Sequence, residues 1–438
     1  MRITSPQKQT SLRSKLASLL RWLVILLGLF FVLQIFNTVY EKFSESRFSD
    51  LIWLFAGDLD QDNFKRTNFL LLGEGGGKHR GADLTDVFLI ASYSHQFQTL
   101  SLLSIPRDFW VELPNLPGMR LNKVYEHEKI RLQDQQAALK STAWFAGEIV
   151  NLPIHYYLKI DFTGFRQLID QLGGVQVLVE TAINDPHFPC ADMLNFCPFQ
   201  LEAGYQILDG ATALKFVRSR KTTSDFDRAA RQQKLLSAIK HKAREQNILV
   251  SPSKMQTFVD LLQKHTETNL GLREFIKIGK LAEKFNQQNI AQIVLNDEPN
   301  LPGGLLYPPP REQFGGAAIL APVAKDLTEI HTLTKILFEN PNVVSAKLAI
   351  EVLNGSDSGG LARKVAYQLN RYGLNALRAN NLPAGKTPQT KIYFYLDNAD
   401  TQATAQVIQN FIPGKIEKGP LELKKRGFDL TVVLGTDY

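Results

Sequence analysis

The sequence predicts an α/β protein, with a central mixed sheet in an α-β-α sandwich, a single transmembrane helix before it and a small C-terminal α/β domain after it. An apolar stretch follows a basic N-terminus, strand-like and helix-like segments alternate through the middle, and the tail has a pattern of its own. Such alternation is typical of a sheet covered by helices. The predicted regions are a cytoplasmic N-terminus at 1–21, a transmembrane anchor at 22–40, a juxtamembrane stalk at 41–65, a main domain at 66–340 and a C-terminal domain at 345–438.

The N-terminus predicts a membrane anchor and its orientation. An apolar stretch runs from Trp22 to about Val39, which is near the length that spans the hydrocarbon core as a helix. Trp22 and Tyr40 flank it as aromatic belts do, and the basic flank precedes it, so everything after Tyr40 is expected outside the cytoplasm. A cleaved signal peptide is the alternative, but the bulky and polar stretch 36–43 offers no small-residue cleavage site.

Composition indicates a globular protein with anionic partners. The chain has 438 residues, of which 44% are hydrophobic and 21% charged, and its formal net charge is +7. This balance is typical of packed domains rather than disorder. Nucleic acid is not predicted as a partner, because the basic residues are spread out and no helix-turn-helix, zinc-finger or RRM signature is present. Anionic lipids and phosphate polymers are partners that also fit the charge.

In the main domain, apolar alternation predicts strands and longer amphipathic periods predict helices. Asp225 is the acidic residue favoured at a helix N-terminus. The predicted strands lie near 68–73, 86–92, 98–105, 157–161 and 175–180, and the predicted helices near 132–150, 162–171, 209–216, 226–246, 253–265, 272–284 and 325–338.

Charged residues concentrate in one short segment near the middle of the chain. Arginine presents a planar fork of donors that suits phosphate oxygens and keeps its charge, and carboxylates beside it can hold Mg²⁺. Arg228, Arg231 and Gln232 have i, i+3, i+4 spacing, which predicts one shared helix face. Arg218 and Arg220 are two apart, which predicts a common side of an extended backbone. A salt-bridged helix facing solvent is the alternative.

Two further clusters favour phosphate chemistry. Arg107 and Asp108 follow the proline that ends a predicted strand, at the tip where sites on a sheet tend to lie. Asp86 ends a glycine-rich loop that begins at Gly73, and such a loop lets backbone approach an anion closely. The loop lacks the spacing of a P-loop and the helix that should follow, so it does not indicate a nucleotide site, and a flexible turn is the alternative.

The two cysteines predict a small disulfide-closed loop. Cys190 and Cys197 are the only cysteines of the chain, and outside the cytoplasm a pair so close in sequence is expected to be bonded. Two free thiols are the alternative. A zinc site is not predicted, because only His187 is near and the spacing does not match one.

The tail predicts a compact α/β domain. Alternation indicates strands at 347–353, 392–396 and 430–434, and helical periodicity at 361–372 ends at Gly373, a good C-terminal glycine. Two βα units are expected. The tail shows no catalytic constellation, so a partner-binding or wall-binding role there is an expectation from the fold alone.

An ordered set of motifs resembles the LytR-CpsA-Psr family of bacterial cell envelopes. The resemblance covers roughly residues 66–300, and the tail resembles the small C-terminal domain of some members. The matching pieces, besides the arginine-rich segment, are Asn68-Phe69-Leu70-Leu71-Leu72-Gly73, Leu84-Thr85-Asp86, Ser104-Ile105-Pro106-Arg107-Asp108, Leu121-Asn122-Lys123-Val124-Tyr125, Tyr156-Tyr157-Leu158-Lys159-Ile160-Asp161-Phe162, Leu172-Gly173-Gly174-Val175 and Gly204-Tyr205-Gln206-Ile207-Leu208-Asp209-Gly210.

The resemblance implies a reaction and a site. Family members transfer a glycopolymer from a polyprenyl-pyrophosphate carrier to a cell-wall acceptor, usually peptidoglycan. A membrane-anchored, extracytoplasmic phosphotransferase that uses Mg²⁺ or Mn²⁺ is therefore expected. The implied pyrophosphate-binding residues are Arg107, Arg218, Arg220, Arg228 and Gln232; the implied metal ligands, or arginine-orienting residues, are Asp86 and Asp108; and the implied catalytic residues are Arg107, Arg228 and Asp225, the last as base or arginine positioner.

Two departures from the family's pattern concern the polymer and the acceptor more than the reaction. Gly75 stands where many relatives have an aspartate, and Glu126-His127-Glu128 follow the Asn-Lys-Val-Tyr motif in place of glycines. His79, His127 or Glu128 could then contact a metal or an acceptor sugar, although surface histidines commonly do neither. Two other functions stay open at this point: a non-catalytic lipid-phosphate-binding or regulatory envelope protein, and a polyprenyl-pyrophosphate pyrophosphatase.

Overall fold

The structure is a computed structural model of the chain. It describes residues 58–75, 83–114, 116–188, 190, 195–219, 225–246, 260, 266–284, 289–383 and 385–438. The predicted transmembrane anchor at 22–40 and nearly all of the predicted helix 253–265 lie outside these residues. Within them, no helix is both long and apolar enough to cross a membrane.

A mixed six-stranded sheet forms the centre of the main domain. The strands of this domain are β1 (Arg66–Glu74), β2 (Thr85–Ser94), β3 (Thr99–Ser104), β4 (Trp110–Leu113), β5 (Leu116–Arg120), β6 (Tyr156–Asp161), β7 (Val175–Val179), β8 (Ile183–Asp185), β9 (Phe199–Leu201), β10 (Gly204–Leu208), β11 (Thr266–Thr268), β12 (Ile290–Val294), β13 (Leu306–Tyr307) and β14 (Ala321–Pro322). The sheet order is β11-β6-β1-β2-β3-β12. β2 is antiparallel to both neighbours, whereas β6 runs parallel to β1 and β12 parallel to β3. The predicted mixed sheet is therefore confirmed.

Helices account for most of the remaining regular structure among the described residues. In chain order they are α1 (Val124–Leu132), α2 (Gln135–Val150), α3 (Phe162–Gln171), α4 (Gly210–Arg218), α5 (Asp225–Glu245), α6 (Leu272–Lys284), α7 (Thr328–Glu339), α8 (Pro341–Ala346), α9 (Leu361–Arg371), α10 (Ala399–Gln409) and α11 (Leu421–Lys424). The helix predicted at 132–150 is wrong at its start, because Gln133 adopts a left-handed φ of 53° and ends α1 there. Asp134 then begins α2 by accepting hydrogen bonds from the backbone N–H groups of Gln136 and Ala137.

Helices pack on both faces of the sheet. Leu70 on β1 is fully buried in a core that includes Leu139 and Ile149 of α2. Phe69 points to the opposite face, because side chains alternate along a strand. On that face a second group contains Leu59 and residues of α6, so packing against the sheet already begins within the predicted stalk. This layering gives the α-β-α sandwich that the sequence predicts.

The tail forms a five-stranded sheet of its own. Its strands are β15 (Ile350–Asn354), β16 (Ala376–Asn381), β17 (Lys391–Phe394), β18 (Lys415–Lys418) and β19 (Leu430–Leu434), in the order β16-β15-β19-β17-β18. The expectation of two βα units missed β16, β18 and the helix α10. The apolar core continues across the boundary predicted between residues 340 and 345, since Leu337, Val343 and Ile350 belong to one buried cluster.

Candidate active site

Predicted site residues from distant segments meet at one edge of the central sheet. β1, β3 and β6 are mutually parallel and end at this edge, and the antiparallel β2 begins there. Sites on α/β sheets tend to lie outside the carboxyl ends of strands. Glu74 ends β1, Asp86 lies at the start of β2, and Arg107 and Asp108 follow β3. Phe162 follows β6 directly.

The turn after β3 is held by backbone hydrogen bonds. The Asn122 N–H donates to the Arg107 carbonyl at 3.1 Å, and the Leu320 N–H donates to the Asp108 carbonyl at 2.9 Å. The Thr85 hydroxyl also donates to the Asn122 carbonyl at 3.3 Å. The Asn-Lys-Val-Tyr segment therefore fixes both the turn that carries Arg107 and the start of the strand that carries Asp86.

Arg107 bridges the two predicted aspartates. Its Nη1 lies 3.0 Å from Asp86 Oδ1, and its Nε lies 3.4 Å from Asp108 Oδ2. All three side chains are about a third exposed, between 30% and 36%. Burial acts to lower the pKa of Arg107, but the two carboxylates outweigh it and raise that pKa. The guanidinium therefore stays charged and faces a fixed pair of acids.

Arg120 is a further cation at this edge that the sequence did not single out. It ends the β4–β5 hairpin, and its Nη1 lies 3.3 Å from Asp108 Oδ1. Asp108 thus accepts from a different arginine at each oxygen. Only the hairpin register brings Arg120 back beside the turn, where Trp110 pairs with Arg120 across the two strands.

Close helix packing positions Arg218. Gly210 begins α4, and a Cβ built there would lie 2.2 Å from the Arg166 carbonyl of α3. The Gly210 N–H also donates to Asp170 Oδ1 at 2.7 Å. α4 continues to Arg218, so this arginine is the last residue of a helix and not part of the extended segment that its spacing with Arg220 predicted.

Arg218 is half-buried and lies over two aromatic rings. Its Cζ is 4.3 Å from the ring centre of Phe162 and 5.4 Å from that of Phe188, distances that suit cation–π contact. Burial lowers the pKa of Arg218, and the carboxylate of Asp86 opposes that change. Asp86 therefore acts electrostatically on both Arg107 and Arg218.

Arg231 has a structural role in place of the predicted ligand-facing one. It is buried, its Nε donates to the Phe216 carbonyl at 2.9 Å, and its Nη2 donates to the Ser219 carbonyl. It therefore fixes the end of α4 from within α5. Arg220 lies outside the described residues. Of α5, the structure describes the backbone but not the side chains of Asp225, Arg228 and Gln232, so the roles predicted for all four residues stay predictions.

A largely buried cluster of charged residues lies at the same edge of the sheet, beside the end of β1. It was not predicted from the sequence. Lys159 Nζ lies 2.7 Å from Glu74 Oε1 and 3.1 Å from Glu267 Oε1, and the Tyr125 hydroxyl donates to Glu267 Oε2 at 2.6 Å. Burial raises the pKa of Glu74, with Lys159 opposing the change. Glu74 Oε2 has no hydrogen-bond partner within the described part of the chain. The sequence around Lys159 predicts only a strand, and nothing in it indicates that Glu74 and Glu267 lie beside this lysine.

Glu128 connects two helices and does not face a ligand. Its side chain is fully buried, and it accepts from Arg131 Nε at 3.0 Å and from the Ser141 hydroxyl of α2 at 2.6 Å. His127 Nε2 lies 3.9 Å from the same carboxylate. The suggestion that Glu128 contacts a metal or sugar is therefore wrong, and His79 lies outside the described residues.

The cysteine pair is bonded, as predicted. Cys190 and Cys197 form a disulfide. The Cys197 N–H donates to the Phe188 carbonyl at 2.7 Å and the Cys190 N–H to the Asn195 carbonyl at 2.9 Å. This loop connects β8 to β9 beside Arg218.

The geometry brings arginines and carboxylates together at one edge of a mixed sheet, a candidate site for an anion. The chain matches the model of the LytR_cpsA_psr family over residues 36–333, and a model described as LytR cell envelope-related transcriptional attenuator over residues 347–438. The chain belongs to the LytR-CpsA-Psr family, and the resemblance found in its motifs is confirmed.

Several curated relatives carry functional names. The polyisoprenyl-teichoic acid–peptidoglycan teichoic acid transferase TagT of Bacillus subtilis is 27% identical over 254 residues, which are 57% of this chain and 73% of TagT. TagU of Oceanobacillus iheyensis, with the same transferase name, is 30% identical over 209 residues, 47% of this chain and 59% of TagU. The crystal structure of Bacillus subtilis TagV aligns with a TM-score of 0.46 at 19% identity, over 63% of this chain and 97% of that one.

Proposed function

We propose that this chain is a membrane-anchored phosphotransferase that acts outside the cytoplasm and moves a glycopolymer from a polyprenyl-pyrophosphate carrier to the peptidoglycan of the cell wall. The observation that carries the proposal is that Arg107, 3.0 Å from Asp86, and Arg218, 4.3 Å from the ring centre of Phe162 directly after β6, lie at the same end of the central sheet. The transferase names of TagT and TagU support it.

The site suits phosphoryl transfer, which depends mainly on positioning and charge neutralisation. In the proposed step, an acceptor hydroxyl oxygen bonds to the phosphorus next to the glycopolymer. The bond from that phosphorus to the bridging oxygen breaks, and polyprenyl phosphate leaves with the electron pair. The hydroxyl proton passes to a base; the family resemblance implies Asp225 either as that base or as a residue that positions an arginine. Arg107 and Arg218, with Arg220, Arg228 and Gln232, bind the pyrophosphate oxygens.

The carboxylates fit a divalent cation. Mg²⁺ is commonly bound through one or two carboxylates together with substrate phosphates, and Asp86 and Asp108 are partly exposed carboxylates beside the phosphate-binding arginines. They do not form a complete site alone, since no group of three His, Cys, Asp or Glu among the described residues could hold a metal. We assign Asp86 and Asp108 to Mg²⁺ or Mn²⁺, which when bound neutralises charge on the pyrophosphate.

The proposed topology places one helix, 22–40, in the cytoplasmic membrane, with residues 1–21 inside. The basic flank before a single apolar stretch supports this orientation. Protease added to intact spheroplasts should degrade the bulk of the protein. Full protection would overturn the topology without bearing on the chemistry.

The decisive experiment follows the carrier and the acceptor separately. The full chain in detergent is incubated with Mg²⁺, a polyprenyl-pyrophosphate oligosaccharide and peptidoglycan fragments. The proposal expects oligosaccharide joined to peptidoglycan and released polyprenyl phosphate, both dependent on the acceptor. Carrier cleavage without acceptor would identify a pyrophosphatase, and tight binding without any product would identify a non-catalytic lipid-phosphate-binding protein; either result overturns the proposal.

A further inference from the structure

The ring of Phe188 is one of two aromatic surfaces under Arg218. Its centroid lies 5.4 Å from the Arg218 Cζ. Phe162, the first residue of α3, lies closer, at 4.3 Å, and is anchored because Asp161 caps its helix by accepting from the Gly164 N–H. Phe188 has no helix to hold it, since it follows the short strand β8 and precedes the cysteine loop.

The cysteine loop holds Phe188 in place. The disulfide joins Cys190 to Cys197, and the Cys197 N–H donates to the carbonyl of Phe188 itself at 2.7 Å. Phe188 is 4% exposed and packs beside Phe199, with ring centroids 5.8 Å apart. The disulfide, which joins residues seven apart in sequence, therefore closes the loop whose backbone hydrogen bond holds Phe188.

The base of the loop is bound to the residue that follows Arg218. Asp185, the last residue of β8, accepts from the Ser219 hydroxyl at 2.8 Å, and both residues are buried. Arg231 holds the Ser219 carbonyl from the other side. The loop and the end of α4 are thus joined at the backbone next to Arg218 as well as through the Phe188 ring.

We propose that Phe188 is a positioning residue for Arg218 and that the Cys190–Cys197 disulfide holds it in that role. The inference rests on the proposed function, since it gives Arg218 a pyrophosphate to bind. A guanidinium confined over two rings loses less side-chain freedom when it binds an anion than one on a mobile chain. Opening the loop should therefore weaken pyrophosphate binding while the arginine itself is unchanged.

The test uses the full chain in detergent, with inorganic pyrophosphate as the ligand and titration calorimetry as the readout. Phe188→Leu, Cys190→Ser with Cys197→Ser, and reduction of the wild-type protein should each weaken binding about three- to tenfold, the size of one cation–π contact. Dithiothreitol supplies the two electrons and two protons that convert the disulfide to thiols and is itself oxidised to a cyclic disulfide. Because the chain has only two cysteines, the double serine variant should not respond to dithiothreitol.

Phe199→Leu is the matched control. Phe199 is 5% exposed and packs beside Phe188 in the same buried cluster, but the cation over its own ring is Lys215, with Nζ at 5.8 Å, so it controls for general loss of packing around Phe188. Both leucine variants should lower the melting temperature similarly, but only Phe188→Leu should weaken binding per folded molecule. In an Arg218→Ala background, Phe188→Leu should have no further effect, because the two residues act through one contact. Equal binding losses in the two leucine variants, or additive losses with Arg218→Ala, would overturn the proposal.

A nuclear magnetic resonance measurement separates this inference from the proposed function. The Arg218 Nε–H resonance, assigned by its absence in Arg218→Lys, should show a ring-current shift that Phe188→Leu and dithiothreitol both reduce and Phe199→Leu does not. If the resonance is unmoved by Phe188→Leu, Phe188 does not position Arg218. If it moves but the wild-type protein binds no pyrophosphate, the positioning stands and the proposed ligand is wrong.

Discussion

Arg107 and Asp86 form an ion pair of 3.0 Å between the end of β3 and the start of β2. β2 and β3 are adjacent and antiparallel, so the start of β2 and the end of β3 lie side by side. The ion pair joins these two points of the chain. The same carboxylate acts on Arg218, which arrives on α4. Asp86 therefore favours the charged form of both Arg107 and Arg218.

We expect Asp86→Asn to lower turnover by about one to two decades, since Arg107 loses a charge-assisted contact and Arg218 loses a neighbouring negative charge. The melting temperature should change little, because the Arg107–Asp86 pair is about a third exposed and such pairs contribute little stability. Steady-state assays and thermal unfolding on the same preparation measure both. Asp83→Asn is the control, since Asp83 pairs with Lys129 at the surface, 43% exposed. Equal activity losses in the two variants would contradict a special role for Asp86.

Removal of divalent cations should abolish transfer, and added Mg²⁺ or Mn²⁺ should restore it. Asp86→Asn and Asp108→Asn should each raise the Mg²⁺ concentration needed for half-maximal rate, because a carboxylate ligand becomes a neutral amide. The measurement is a Mg²⁺ titration of the rate after treatment with EDTA. Undiminished turnover after treatment would remove both aspartates from the proposed ligand set.

Arg218→Ala and Arg220→Ala should each abolish most activity while the fold stays intact. Each removes a donor to phosphate worth about 1.5–3 kcal/mol, or roughly one to two decades in rate if it acts in the transition state. Arg166→Ala, at an exposed position on α3, should leave turnover near the wild-type value. A lowered melting temperature with unchanged turnover per folded molecule would instead mean that these arginines belong to a salt-bridged surface.

The parts of the fold that local pattern determines could be predicted. Apolar alternation located β1, β2, β3, β6 and β7 to within a residue or two, and the predicted helix 162–171 matches α3, because Asp161 supplies the cap. α10 was missed, since its amphipathic pattern is weak and its start depends on the Asn398 capping box.

Some residues of the candidate site could likewise be predicted from local sequence patterns, and others could not. Arg107, Asp108 and Asp86 carried a local signal, because charged residues directly follow or precede apolar strands. Arg120, Lys159 and Phe188 carried none, since their importance comes from hairpin register, sheet pairing and loop closure between distant segments. Arg231 shows the opposite error: its spacing suggested a ligand, and only packing shows that it binds backbone carbonyls.

Lys159→Met should destabilise the protein by about 3–5 kcal/mol, because it leaves the buried carboxylate of Glu74 and the partly buried carboxylate of Glu267 without their cation. Lys159 is 4% exposed and lies 4.5 Å from the Tyr125 ring. Urea unfolding gives the change in free energy. Lys234→Met is the control, since its pair with Glu180 is 30% and 68% exposed and should be worth less than about 1 kcal/mol.

The triple change Lys159→Met, Glu74→Gln and Glu267→Gln should recover part of the lost stability, because no unpaired charge then stays buried. If Lys159→Met alone is as mild as Lys234→Met, the cluster is solvated in solution and does not hold the sheet edge together.

Stability should also fall on mild acidification because of His155. Its Nδ1 accepts from the Asn68 N–H at 3.0 Å, which requires the neutral ring. Burial lowers the pKa of His155 from its ordinary 6.5, with Asp62 and Asp60 opposing and Arg66 adding to the change. A depressed folded-state pKa means that the unfolded chain binds the proton first. The contribution of neutral His155 to the free energy of unfolding is therefore complete above pH 6.5, and it is lost as the pH falls towards the folded-state pKa of His155.

The variant His155→Asn tests this directly, because asparagine keeps an acceptor near the Asn68 N–H but does not titrate. Urea unfolding of the full chain at several pH values between 7.5 and 5.0, about the range in which a histidine ionises, should show a shallower loss of stability in His155→Asn than in the wild-type protein. His241→Gln is the control, since His241 is 76% exposed and pairs only with Glu245 among the ion pairs described. If the loss of stability with falling pH persists in His155→Asn but disappears in His241→Gln, the pH dependence comes from His241 on the surface of α5 and not from His155 before β6.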